Sequence, residues 1–475
     1  MCTTAAGGVN RTNRAMPDGR VRRTVSKVEQ AQAQLTKDHR ASRLRIVAAA
    51  SLVAGSISLG GCGGSATHAA GAVPAGPGVS GASTVSTSQC GTKPGVKATG
   101  TPIKLGAIVT SQPGVQFTDV PKMAAAYFAC VNANGGVNGH PIAYQILTEQ
   151  SNPAQIAAVA HELVADGALG IVGSMSLLEC TVDYAYWQRL GYYQIDAGLA
   201  PECYSTPNSA ALEMGGRYNA DAATQYVIAR GAKKVVLDLG RASTTAYSGA
   251  GAIAEAKAAH VPVTFIADGV PVQDPGSIAV RDVNDAGPDG AVVISFDTAD
   301  DLSVLQAAQR LGLEDRVKLW GCTTPCNSDY LAKALGPRWN GKLFVAADLF
   351  NPDTDNSPGM QLYKAVLRQY GSAVSGGMGA FSQYGFAIAE ITVHALESVH
   401  GPYTARSVNQ AIENVTNFDD GQQCRPWTYG AYPLHIPDTV GITVTPDNGK
   451  MVVAQGCTPL PSIDPQVAAY RRLAG

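Results

Sequence analysis

The chain has 475 residues, 45% of them hydrophobic and only 15% charged, which excludes a disordered polymer and exceeds what a single domain usually holds. Its formal net charge of -2 conceals a split: residues 1–61 carry ten Lys/Arg against three acids, leaving 25 basic and 34 acidic residues beyond them. An acidic remainder argues against nucleic acid as a partner, because affinity for a polyphosphate rests on cationic neutralisation.

The basic segment leads into an export signal. After Arg40, Arg43 and Arg45 runs a short apolar stretch, Ile46 to Leu59, followed by Gly60-Gly61-Cys62. Charged region, apolar region and small-residue cleavage site follow in the order of a secretory signal. The stretch is shorter than the roughly 20 apolar residues a membrane-spanning helix needs. Leu59-Gly60-Gly61-Cys62 resembles a bacterial lipobox, which implies a lipid on Cys62 and a chain anchored to the outer face of the cell membrane. The residues ahead of Arg40 are long for a signal, as a later translation start would explain. Residues 62–102, rich in Gly, Ser, Ala, Thr and Pro with no hydrophobic period, read as a flexible tether.

From residue 103 short apolar runs alternate with amphipathic stretches. Strands are expected at Ile103 to Val109, Ile142 to Thr148, Gly170 to Gly173 and Tyr192 to Ile195, separated by helices at Pro121 to Asn134, Pro153 to Asp166 and one ending near Leu190. A loop with Pro201 and Pro207 precedes a second series: helix Ala220 to Arg230, strand Lys234 to Leu239, helix Tyr247 to Ala259 and strand Val263 to Ala267. Helix Ser277 to Ala286, strand Gly290 to Ser295, helix Asp300 to Leu311 and strands near Val317 to Trp320 and Leu343 to Ala347 follow, with two further strands at Tyr432 to Ile436 and Met451 to Ala454. Helices filling the gaps between strands indicate βαβ units, so the fold class is α/β, with two doubly wound parallel-sheet lobes. Ligands bind such sheets beyond the carboxyl ends of their strands, and two facing lobes would form a cleft there.

Beyond Cys2 and Cys62 eight cysteines remain, Cys90, Cys130, Cys180, Cys203, Cys322, Cys326, Cys424 and Cys457, an even number in an exported chain and therefore disulfide candidates. The sequence does not fix their pairing; nearest neighbours give 90 with 130, 180 with 203, 322 with 326 and 424 with 457. No Cys-x2-Cys pair occurs and the eight His are scattered, so no metal and no cofactor is expected. Neither a Gly-x-Ser-x-Gly elbow nor a His-Glu-x-x-His or phosphate-cradling Gly-x4-Gly-Lys-Ser/Thr loop is present, and Gly249-Ala250-Gly251 lacks the third glycine of a dinucleotide site. An enzyme is not expected.

One stretch is more telling than any spacing. Asn132-Ala133-Asn134-Gly135-Gly136-Val137-Asn138-Gly139-His140-Pro141-Ile142 ends a helix with glycines, turns at Asn-Gly and opens a strand after Pro. With Ser151-Asn152-Pro153-Ala154-Gln155, Leu163-Val164-Ala165-Asp166-Gly167 and Ile171-Val172-Gly173 it resembles the leucine/isoleucine/valine-binding proteins, type I periplasmic-binding folds that serve ABC importers. The likeness runs from about residue 103 to 400. It implies a first lobe of 103–219 with 347–440 and a second of 220–346 with 441–475, joined by a multi-strand hinge that closes over a small polar solute. It also implies ABC permease subunits as partners, and a monomer is expected.

The resemblance places ligand contacts at Ser174, Ser176 and Leu177 after the third strand, Gly198 and Leu199 after the fourth, Tyr247, Asp297 and Thr298 in the facing lobe, and Phe117 at the mouth. Thr323 stands where amino-acid binders commonly carry the Glu that meets the substrate ammonium, and Ala200 where they commonly carry a Thr. The solute could then be amino acid-like, an amide or a carboxylate. The same cleft would also serve a lipid-anchored sensor that reports its solute to a membrane partner.

Overall fold

The computed structural model describes residues 90–430, 435 and 440–459. The export signal, Cys62 and the tether up to residue 89 lie outside them.

Parallel strands covered on both faces require unbroken apolar runs. In the first lobe these are β1 (Ile103–Gln112), with the short β2 (Val115–Gln116) folded back on its end, then α1 (Asp119–Ala133), β3 (Ile142–Glu149), α2 (Pro153–Ala165), β4 (Gly170–Ser174), α3 (Glu179–Leu190), β5 (Gln194–Asp196), the one-turn α4 (Glu202–Ser205) and β6 (Ser209–Ala211). β3, β1, β4, β5 and β6 lie side by side in that order, all parallel.

The second lobe repeats the pattern with α5 (Gly215–Ala229), β7 (Val235–Gly240), α6 (Thr245–Ala258), β8 (Val263–Asp268), α7 (Pro275–Ala286), β9 (Ala291–Ser295), α8 (Thr298–Arg310), β10 (Leu319–Cys322), α9 (Asp329–Leu335) and β11 (Leu343–Ala347). Here β8, β7, β9, β10 and β11 are parallel neighbours, the same winding as in the first lobe. The chain then returns. α10 (Pro358–Tyr370), α11 (Ala380–Glu397) and α12 (Ala405–Glu413) pack on the first lobe, α10 and α11 against α1, while β12 (Val440–Asp447) and β13 (Lys450–Pro459) extend the second sheet antiparallel from β11. The backbone therefore passes between the lobes after β6, after β11 and again within 414–439, only part of which is described.

Helix starts follow local chemistry. Asn152, Asp274 and Ser357 each cap a helix whose next residue is Pro, accepting backbone N–H groups of the first turn. The turn over 132–142 is tied by Asn132, whose side chain donates to the Ile142 carbonyl (2.8 Å) and accepts from its N–H (2.7 Å). Gly136 has φ +63° and a Cβ there would sit 2.3 Å from the His140 oxygen, so only glycine fits.

Some expectations are corrected. The tether expected over 62–102 is already fixed from residue 90: Cys90 is bonded to Cys130, and the Lys93 and Ala98 N–H groups donate to the Asn134 and Asn132 carbonyls. Residues 209–211, read as loop, form β6, because Ser-Ala-Ala carries little apolar signal but completes the sheet edge beside β5. Of the strand expected over 432–436 only His435 is described, and it lies in no strand; its N–H donates to the Tyr204 carbonyl. The strand beside β11 is β12 instead. Disulfides join Cys90–Cys130, Cys180–Cys203, Cys322–Cys326 and Cys424–Cys457.

Candidate functional site

In sheets wound this way the chain changes direction between β1 and β4, and between β7 and β9, leaving a crevice at the carboxyl ends. Those two crevices face each other across a cavity of about 130 Å³. Its first-lobe wall comprises Val115 and Phe117 from the β1–β2 hairpin, Met175 and Leu177 after β4, Leu199 after β5 and Phe381 at the start of α11. Phe117 and Phe381 meet edge to face, ring centroids 5.6 Å apart. The second-lobe wall holds Thr244, Thr245 and Ser248 at the start of α6, Ser295 to Asp297 after β9 and Thr323 to Pro325 after β10. The segment joining β6 to α5 adds Glu213 and Gly216, and α5 itself adds Asn219.

The lobes touch at the mouth. A Cβ at Gly114 would lie 2.5 Å from the Pro271 nitrogen, so the hairpin tip is pressed on the 270–271 backbone of the opposite lobe. Asp348, at a crossing, bridges them again: its carboxylate accepts from the Tyr384 hydroxyl (2.8 Å), the Thr324 hydroxyl (3.3 Å) and the Met214 N–H (3.1 Å).

Among the described residues Glu213 and Asp297 are the ionisable ones of the lining, with no Lys, Arg or His. Burial, then the neighbouring Asp348, pushes the Glu213 carboxyl well above the usual range, with Tyr384 offsetting part of the rise. Burial also raises Asp297, although it accepts the Asp300 N–H as cap of α8. Such a lining can hold and orient a solute; it presents no nucleophile backed by a base.

Of the residues expected to touch ligand, Phe117, Leu177, Leu199, Asp297 and Thr323 line this cavity. Thr298 lies just outside it, donating to the Pro325 carbonyl and lining an adjoining cavity of about 520 Å³. Four others are turned elsewhere. The Ser174 hydroxyl accepts the Ile108 N–H, and Ser176 donates to Glu149 while accepting the Leu178 and Glu179 N–H groups. Gly198 holds a left-handed turn whose carbonyl accepts the Tyr204 hydroxyl. Tyr247 lies under the Arg217 guanidinium, 4.9 Å from ring centroid to Cζ. Glu213, Asn219 and Phe381 escaped the sequence reading, since they belong to a crossing and to helix starts rather than to loops after strands.

Two clusters among the described residues have metal-like spacing, Cys180–Asp196–Cys203 and Asp301–Cys322–Cys326. Both use cysteines committed to disulfides, so neither offers a thiolate.

Paired sheets enclosing a small cavity with no reactive group define a two-lobed binding protein. The sequence agrees: a family model described as periplasmic binding protein matches residues 102–432, and the chain belongs to that family. Its members bind solutes outside the cytoplasm for ABC permeases and perform no chemistry on them. No curated protein matches the sequence. Solved structures share the fold. A branched chain amino acid ABC transporter protein from Thermus thermophilus with bound valine has 16% identity and a TM-score of 0.66, over 78% of this chain and 100% of that one. A fatty acid ABC transporter substrate-binding protein from Thermomonospora curvata has 17% identity and a TM-score of 0.65, over 77% and 94%. An ABC transporter solute binding protein from R. palustris in complex with 4-hydroxybenzoate has 18% identity and a TM-score of 0.61, over 76% and 98%.

Proposed function

We propose that this chain is the solute-capturing lipoprotein of an ABC importer, anchored through lipid on Cys62 and acting as a monomer that closes over one small, largely apolar molecule. The observation that carries the reading is the cavity itself, bounded by the carboxyl edges of both sheets and by the segments that cross between them. About 130 Å³ suits a body of roughly benzene's size with a small polar head. A solute touching both walls stabilises the closed form over the open one, and a permease can read that closure. The family's solutes range in the structures above from an amino acid to an aromatic acid, so size and polarity, not fold, decide among them.

The test is a thermal-shift screen of small amines, amides, alcohols, carboxylates and amino acids. A solute at a hundred times its dissociation constant should stabilise the chain by about 2.7 kcal/mol. Absence of any stabilising solute across all of these classes would overturn the reading. Replacement of Cys62 by Ser should release the chain from the membrane fraction; retention would overturn the anchor.

A further inference from the structure

The cavity contains two buried hydrogen-bond acceptors with no partner. Glu213 is 3% exposed and its Oε1 bonds to nothing; Asn219 is 1% exposed and its Oδ1 bonds to nothing. Both residues line the cavity, Glu213 just ahead of α5 and Asn219 in that helix. An acceptor left dry and unmatched costs as much as a lost hydrogen bond or more, and a carboxylate costs most. Orphaned acceptors on two residues of one cavity lining are accounted for by a guest that brings donors.

The neighbouring groups do not satisfy them. The Tyr384 hydroxyl lies close enough to Glu213 to hold its carboxyl down in part, but its one proton goes to Asp348 Oδ1. Thr245 is engaged with the Gly240 carbonyl and the Ala242 N–H, and Ser295 and Thr323 bond each other. Among the described residues no basic side chain lines the cavity.

We infer that the solute, bound in the cleft proposed above, carries a primary ammonium that docks on Glu213 Oε1 and Asn219 Oδ1, with its hydrocarbon body against Phe117, Leu177, Leu199 and Phe381. An ammonium has three donors and no acceptor, enough for both orphaned acceptors with one donor over. The Glu that the resemblance places after β10 is absent here, Thr323 standing in its stead, and the charge enters instead from the crossing between the lobes. That location has a consequence: the cation is held at the hinge, where both lobes contribute. The rival is a carboxylate seated on the amino end of α6 beside Thr244 and Ser248. It would leave both acceptors orphaned.

Isopentylamine, isopentanol and isovalerate share one branched skeleton and differ in the head group, so calorimetric titration of the full chain with each isolates that head. The amine should bind, the alcohol roughly ten- to a hundredfold more weakly, and the acid not at all. Glu213→Gln should erase the preference of amine over alcohol, and Asn219→Leu, which leaves the carboxyl in place, should weaken the amine roughly tenfold. Isovalerate binding as tightly as the amine, or an amine affinity unchanged in Glu213→Gln, would overturn the inference. Silence of all three probes while another solute of the screen stabilises the chain would also overturn it and leave the importer reading standing; silence of every solute takes both down.

Discussion

The two walls of the cavity are built on the same strand order and differ in chemistry. The first lobe offers hydrocarbon and aromatic faces, Val115, Phe117, Met175, Leu177, Leu199 and Phe381; the second sets hydroxyls and a carboxyl, Thr244, Thr245, Ser248, Ser295, Asp297 and Thr323, among the apolar Leu239, Ala242, Val270 and Phe296. Polarity is not missing from the first lobe but lies behind its wall. Glu149, buried, accepts from the Thr110 and Ser176 hydroxyls and from the Ser151 N–H, fixing the loop that presents Met175 and Leu177. Repeated architecture therefore does not imply repeated duty: one lobe supplies apolar area, the other adds direction to it.

That division can be broken most severely on the apolar side. Leu177 is 6% exposed, so Leu177→Asp would place an unpaired buried carboxylate on the wall, and solute binding measured by calorimetry should fall by more than a thousandfold while circular dichroism remains that of a folded α/β chain. Retained binding would mean that the first-lobe wall does not meet the solute.

The acids behind the wall predict a pH dependence of stability. Burial pushes Asp196 up to about 7 from its usual 3.8, with the Ser209 hydroxyl and the Gly198 backbone holding it down in part. Below about 4 the folded and unfolded chains are both protonated at this site, and its favourable contribution is whole. Between about 4 and about 7 only the folded chain keeps the proton, so stability declines as pH rises and levels off above. Asp196→Asn should make that decline shallower by up to about 1.4 kcal/mol per pH unit, read from urea midpoints across the range. An identical slope in the variant would remove Asp196 as its source.

The smallest effect is expected on the polar side. Thr323→Val removes a hydroxyl paired with Ser295 and should change affinity only a few-fold, about 1 kcal/mol, since Ser295 can turn toward the solute. A hundredfold loss would make Thr323 a principal contact and even out the contrast between the walls.

Much of this was readable from the residues because parallel strands advertise themselves. Val235 to Leu237 and Ala291 to Ile294 are apolar without interruption, and the strand-helix alternation that they belong to implies sheet edges with loops beyond them. Loops after strands therefore yielded Phe117, Leu177, Leu199, Asp297 and Thr323 as cavity residues. The failure at Ser174 and Ser176 has a simple geometry: alternate residues of an extended segment face opposite ways, and Met175 and Leu177 took the cavity side. Nothing in the local pattern sets that parity; the Glu149 behind them does. Glu213 and Asn219 were hidden for a different reason. Their position depends on where the chain crosses from one lobe to the other, which involves strands more than a hundred residues apart, as the bond from Met214 to Asp348 illustrates.

The covalent tie between Cys90 and Cys130 determines where mechanical load would enter the molecule. A pull on the preceding chain would be taken up by the last turn of α1 and by the turn leading into β3, at the edge of the sheet where its strands begin. The cavity lies at the other edge, where they end. Load entering at Cys90 would thus leave the cavity edge of the sheet unstrained.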